Sequence, residues 1–281
     1  MVTSLLILND GRVASCSLDK TIQLFSPKND YQYTIALTGH KEGINSICQL
    51  DNENIVSCSD DKSIKIWDCK KYKCVFTIDN AHEDKITKVV VLSFNRFASS
   101  SNDSTIKIWK GNLPYSDIPI KVLRVKNTKV SSLLFIKDKD ILISCLANKI
   151  LQLWSMKTYQ CISSIRGAES NFLNSLYQFD NEHLILGANK KITLVNITKC
   201  LIEKIENLSE YVLCFIKHND NTRMICGCDD GKICVYNMNT KEYCIIQTDH
   251  TDTILDIKRL NENTLISCSW EKTIRIWNYN N

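Results

Sequence analysis

Glycine and proline are both scarce in this chain, at 8 and 3 residues of 281. Average usage is about 7% glycine and about 5% proline, so collagen-like repeats and Pro/Gly-rich linkers are excluded. Tight turns must then be built from other residues, and asparagine and aspartate, which tolerate left-handed backbone, are the expected substitutes. Long hydrophobic runs are also missing, since nothing approaches the roughly 20 apolar residues of a membrane helix. The opening Met1-Val2-Thr3-Ser4 carries no basic region, and Leu5 to Leu8 is too short for a secretory core. The expectation is a cytoplasmic, intracellular protein with no membrane partner, a nuclear location being compatible with the same features.

Arginine is the minority cation, seven residues among 35 Lys+Arg, and the net charge of +4 is diffuse. No groove for tracking phosphates is indicated, so nucleic acid is not an expected partner. Charged clusters such as Lys70-Lys71-Tyr72-Lys73 are expected at solvated loop tips. Cysteine, by contrast, is plentiful, with 14 residues and no CxxC pair. Cys16, Cys58, Cys145 and Cys268 recur at one position of a repeated phrase, and Cys74 and Cys161 at another. They are expected to act as small core hydrophobes, which suits a reducing compartment. His218, Cys226, Cys228 and Cys234 lie within seventeen residues and could in principle hold zinc. Three of the four align with ordinary strand positions elsewhere, so neither a metal nor a cofactor is expected.

The repeated phrase is a Ser/Cys-rich strand, an acidic turn and an alternating strand ending in an aromatic. It reads VASCSLDKTIQLF to Phe25, IVSCSDDKSIKIW to Trp67 and FASSSNDSTIKIW to Trp109. It returns as LISCLANKILQLW to Trp154, LILGANKKITLV to Val195, MICGCDDGKICVY to Tyr236 and LISCSWEKTIRIW to Trp277. Successive intervals are 42, 42, 45, 41, 41 and 41 residues. A period of about 40–45 residues carrying four short strands marks a β-propeller blade, which cannot bury both sheet faces alone. Blade 2 illustrates the reading: strand a over Ile44 to Cys48, b over Ile55 to Ser59, c over Ser63 to Trp67, d over Lys73 to Ile78. The longest c–d connection follows Trp109, at residues 110–119, and accounts for the 45-residue interval.

Gly39-His40, Ser57, Asp61 and Trp67-Asp68 form one set, Ala81-His82, Ser99, Asp103 and Trp109 a second, and Asp249-His250, Ser267, Glu271 and Trp277 a third. In each the serine lies ten residues before the tryptophan and the acid six before it. On these residues the whole chain, 1–281, resembles the WD-repeat (β-transducin-like) family. The resemblance implies an all-β, seven-bladed β-propeller of four-stranded antiparallel blades in a single domain. It also implies a structural chain Trp–Ser–His–acid in blades 2, 3 and 7. Blades 4 to 6, with Lys126, Glu169 and Leu208 at the His40 position, are expected to rely on packing alone. Ser, His and Asp also spell a hydrolase triad, but here they recur blade after blade with no oxyanion donor. No enzymatic activity is expected.

What remains is a non-catalytic scaffold binding partner proteins or peptides. The alternative is a reader of a methyl-lysine or phospho-motif, either reading being compatible with the interaction domain of a longer multidomain protein. Phosphate reading would want an arginine cluster, and none of the seven arginines lies in a b–c turn. In the family, the d–a and b–c loops bind most partners, which singles out two sets here. Blades 1 to 3 present mostly polar positions: Thr3 and Leu18, then Asn45, Asp60, Lys85, Thr87 and Asn102. Blades 5 to 7 present apolar ones, Phe172, Tyr211, Leu213, Leu255 and Trp270, a candidate interface.

Counting strands gives seven a, seven b and seven c but only six d. Nineteen residues separate Phe25 from Asn45, whereas the stretch from Trp277 around to Thr3 offers six. Blade 7 is therefore expected to lack its outer strand and to present Thr273 to Trp277 as an open edge. An additional strand from upstream sequence or from a partner would complete it.

Overall fold

The computed structural model describes residues 1–31, 34–167, 176–188, 190–208, 210–218, 220 and 222–278. Every sheet is antiparallel and built from strands consecutive in sequence, in the order a-b-c-d. Blade 1 consists of Val2–Ile7, Val13–Ser17, Thr21–Phe25 and Thr34–Thr38. Blade 2 runs Ile44–Gln49, Ile55–Ser59, Ile64–Asp68 and Lys73–Ile78, within a residue of the sequence reading at each end. Blade 3 is Ile86–Leu92, Arg96–Ser101, Thr105–Lys110 and Lys121–Arg124. Blade 4 is Val130–Ile136, Ile141–Leu146, Ile150–Ser155 and Cys161–Arg166. Blades 5 and 6 comprise Leu176–Gln178, His183–Ala188, Lys191–Asn196 and Leu201–Asn207, then Val212–Lys217, Arg223–Cys228, Ile233–Asn237 and Tyr243–Ile246. Blade 7 stops at three strands, Ile254–Asn261, Thr264–Ser269 and Ile274–Asn278. The fold class is thus the seven-bladed β-propeller, with a last blade of three strands.

Two compact units divide the chain, one formed by residues 6–166 and the other by residues 1–5 with 167–281. Within each, the core lies between successive blades. Ala14, Ile22, Leu37, Ile44, Ile55 and Trp67 fill the space between blades 1 and 2. Ile64, Ile66, Ile78, Ile86, Phe97 and Trp109 do the same between blades 2 and 3. In the second unit Cys226, Cys234 and Tyr236 pack with Ile185 and Ile192, and Ile225 and Ile233 with Ile254 and Leu265. The b strands are covered on both faces, which is why they read VASCS and IVSCS rather than alternating. Their small serines and cysteines let neighbouring sheets approach. Cys16, Cys58, Cys145 and Cys268 are all buried as expected, whereas Cys161 in the outer strand of blade 4 is exposed.

Turn chemistry departs from expectation. Lys20, Lys62, Ser104, Lys149, Lys190 and Lys272, one in each of six b–c turns, hold positive φ, so Asn and Asp are not the main left-handed residues there. The acid sits one position earlier and spans the strained residue with its side chain. Asp19, Asp61 and Asp103 accept the backbone N–H of Thr21, Ser63 and Thr105 at 3.0, 2.9 and 2.8 Å. A left-handed L-residue costs about 1–2 kcal/mol, and this local bond offsets part of it. At the long connection after strand Thr105–Lys110, Gly111 donates to the Asn95 carbonyl at 2.6 Å. A Cβ there would lie 3.0 Å from that oxygen, tighter than ordinary contact, so a larger residue would have to push the Asn95 backbone aside.

Candidate functional site

The b–c turns and the loops entering each a strand are held by one network repeated in three blades. In blade 2, Trp67 Nε1 donates to Ser57 Oγ at 2.8 Å, Ser57 meets His40 Nε2 at 2.7 Å, and His40 Nδ1 meets Asp61 at 2.9 Å. An indole N–H only donates and a carboxylate only accepts, so the proton sits on Nδ1 and Ser57 gives its own to Nε2. Blade 3 repeats the chain through Trp109, Ser99, His82 and Asp103 at 2.8, 2.7 and 2.9 Å. Blade 7 runs Trp277, Ser267, His250 and Glu271 at 2.6, 2.8 and 2.6 Å.

A fifth member was missed by sequence reasoning. Ser63 and Thr105 each donate to the other carboxylate oxygen at 2.6 Å, and Thr273 bonds Glu271. The legible signal was a hydroxyl two residues after each turn acid. Burial opposes the charge on Asp61 and Asp103. Bonds from the histidine, the hydroxyl and a backbone N–H outweigh it and hold both carboxyls well below the usual range. Thr251, Thr273 and His250 do the same for Glu271. Burial pushes His82 and His250 below the ordinary imidazole value despite their acid partners, which favours the neutral ring at neutral pH. Blade 4 departs from the expectation of packing alone: Trp154 still donates to Ser144 at 3.0 Å.

The polar candidates in the unit of residues 6–166 come together. Asn45 Nδ2 donates to Asp60 and to the Ile86 carbonyl of the next blade, both at 2.8 Å, and Lys85 pairs with Asp60 at 2.5 Å. Thr87 Oγ1 donates to the Val130 carbonyl at 2.7 Å, and Asn102 N–H to the Lys85 carbonyl at 3.0 Å. Asn45 and Thr87 are bulge residues: Ile44 and Ser46 oppose Ser59 and Cys58 directly, and the register skips Thr87 in the same way. A bulge re-aims its side chain, here toward the neighbouring blade. The polar positions thus lace blades together.

In the other unit, Leu213 and Leu255 occupy the same bulge position. Leu213 is only 3% exposed and leaves the candidate surface, while Leu255 is half-buried. Trp270 is 54% exposed at the tip of its b–c turn, its N–H fixed to the Thr253 carbonyl at 2.9 Å. Tyr211 is 39% exposed with Lys190 Nζ 5.2 Å from its ring centre. Phe172 lies outside the described residues. Of the residues considered for zinc, Cys226 and Cys234 face each other across strands b and c of blade 6, and His218 precedes that blade's b strand. Among the described residues no three of these four gather at ligand distance. Burial holds the Cys226 and Cys228 thiols well above their usual range and pushes Cys234 up to about 12.

Comparison with known proteins agrees with this geometry. The family described as "WD domain, G-beta repeat" matches residues 31–68, 72–110, 200–237 and 242–278. WD repeat-containing protein 55 homolog of Dictyostelium discoideum is 23% identical over 175 residues, 57% of this chain and 42% of the relative. WD repeat-containing protein 90 of Mus musculus is 26% identical over 162 residues, 54% of this chain and 9% of the relative. WD repeat-containing protein 89 homolog of Dictyostelium discoideum is 26% identical over 141 residues, covering 49% and 36% respectively. The chain therefore spans less than half the length of each of these relatives.

Proposed function

Because the chain belongs to the WD-repeat family, we propose that it is a non-catalytic scaffold that binds partner proteins or peptides. The observation that carries this reading is Trp270, a large aromatic held in water on a turn whose backbone is pinned. Ser269 Oγ fixes the same turn from the other side by donating to the Asp252 carbonyl at 2.9 Å. Pre-ordered, exposed aromatics are the usual anchors of interfaces, because little entropy is lost when they are covered. The Ser–His–acid sets do not favour catalysis, since each serine hydroxyl is already engaged by a tryptophan and a histidine. Fourteen reduced cysteines support work in a reducing, cytoplasmic setting. Among the described residues no helix is long and apolar enough to cross a membrane. A second contact is proposed at the outer edge of blade 7, where a strand from upstream sequence or from a partner would find unpaired backbone.

Affinity capture from cells with wild type and Trp270→Ala tests the first contact. Partners should fall at least tenfold with the variant while the melting temperature stays within about a degree. Unchanged capture, or a collapse of stability, would remove Trp270 from the interface.

A further inference from the structure

In the six four-stranded blades the first inward residue of strand c is Ile22, Ile64, Ile106, Leu151, Ile192 or Ile233, and every one is buried. The outer-strand residues directly opposite are Leu37, Ile78, Leu123, Ile165, Glu206 and Ile246, five of the six aliphatic. Blade 7 has Ile274 at this position, half-exposed, and Ile276 two residues on is 43% exposed where Ile66 and Ile108 are at most 1%. Trp277 is half-exposed, although Trp67 and Trp109 are fully buried. The bare apolar surface thus follows the position a fourth strand would cover.

Behind it lies a cleft of about 370 Å³ between blades 6 and 7. Ile233, Val235, Ile246, Leu265 and Trp277 form its apolar wall beside Cys244, and its polar rim includes His218 and Arg223. A cavity of about 150 Å³ already takes a benzene ring, so an aromatic side chain fits by volume, and a ring bearing a hydroxyl suits the polar rim. The backbone is equally specific. Ser269 N–H donates to the Thr273 carbonyl at 3.1 Å. Antiparallel alternation then turns 273, 275 and 277 toward strand b, and leaves the N–H and C=O of Ile274 and Ile276 facing outward. A small molecule or a helix could cover the side chains but would leave those groups unpaired, whereas an extended chain satisfies both.

We propose, building on the scaffold reading above, that strand Ile274–Asn278 captures an extended segment of a partner polypeptide as an antiparallel fourth strand. The segment carries a branched aliphatic residue opposite Ile274, an apolar one opposite Ile276 and a ring opposite Trp277 that enters the cleft. Opposite Arg275 it carries a small hydroxyl residue, as Thr77 stands opposite Lys65 and accepts from its Nζ at 3.0 Å. An acidic residue there is disfavoured because Arg275 already pairs with Glu271 and Asp249 at 3.3 and 3.9 Å.

The probe is a synthetic peptide of residues 72–80 carrying Cys74→Tyr, which places Ile78, Thr77, Phe76 and the new ring in this register. Cys244 reports on the cleft and Cys161, exposed in blade 4, serves as the control thiol. With the full chain, saturating peptide should slow alkylation of Cys244 at least tenfold and leave Cys161 unchanged, and amide exchange at Ile274 and Ile276 should slow in parallel. Ile78→Asp in the peptide, or Ile276→Pro in the protein, which removes one outward donor, should each weaken binding at least tenfold. Equal binding of the peptide carrying Ile78→Asp, absence of protection, or a dimer whose edge is protected without peptide would each overturn the proposal. Partner capture through Trp270 is read separately, so a failed peptide experiment with intact capture removes this site and leaves the scaffold reading standing.

Discussion

At the scale of single residues, the indole N–H of Trp67 has one satisfactory partner, Ser57, inside a fully buried environment. Trp67→Phe keeps the ring and removes the donor, so the folded state should lose about 1–3 kcal/mol. Trp277→Phe removes the same bond where water reaches the side chain, and should cost visibly less. Urea midpoints for the two variants and wild type check the order. The fold should survive both, since blade 1 already carries Phe25 at this position. The neutral histidines set a pH dependence. His82 and His250 have folded values below 6.5, so their contribution is complete above that pH and is lost as pH falls, because the unfolded chain takes up protons that the folded rings refuse. Asp61, Asp103 and Glu271 act in the same sense at lower pH, their contribution being present above the unfolded values of 3.8 and 4.5 and lost as pH falls. His183, raised by Asp180 and Glu203 although desolvation opposes them, works in the opposite sense, but it lies near the surface where water screens it. Urea midpoints should therefore decline from pH 7 to pH 5, and the decline should shrink in His82→Gln/His250→Gln.

At the scale of elements, two c strands of nearly identical sequence differ in what covers them. Among the described residues, Ile64–Asp68 is paired on both sides and Ile274–Asn278 on one. Exchange of an amide follows the opening of its hydrogen bond, and outward amides of an unpaired edge have no ladder bond to open. In the isolated chain, Ile274 and Ile276 amides should exchange at least a hundredfold faster than those of Ile64 and Ile66. Equal protection in a monomeric sample would contradict the three-stranded blade. The turn preceding each c strand also shows why composition misled. Lys62 adopts a left-handed backbone because Asp61 bridges it, so the permissive residue is supplied by its neighbour rather than by its own identity.

At the scale of the whole molecule, the N-terminal strand is fastened to a residue 252 positions away. Asp256, buried in strand Ile254–Asn261, accepts from Ser4 Oγ at 3.1 Å and from the Leu5 N–H at 2.9 Å, while its other oxygen pairs with Lys258 at 2.7 Å. Val2 joins the same contact, its carbonyl lying 3.6 Å from Cys268 Sγ. Asp256→Asn removes the charge that serves these donors, and should lower stability by about 1–3 kcal/mol while raising exchange of the Leu5 amide. A shifted urea midpoint with an unchanged Leu5 amide would show that the carboxylate does not hold this strand.

The repeat period, the Ser–acid–Trp spacing and the count of six outer strands against seven were all in the sequence. Together they determined the blade number, the three networks and the incomplete last blade. Each depends on local hydrogen bonding or on the length of chain available for a strand, and both can be read without knowing what packs where. Tertiary structure alone decided the fate of the candidate surface. Asn45, Thr87, Leu213 and Leu255 share one sequence register, yet the bulge turns the first two into ties between blades and buries Leu213, leaving Trp270 and Tyr211 in water. The direction of a bulged side chain depends on the sheet beside it, and that neighbour comes from another repeat.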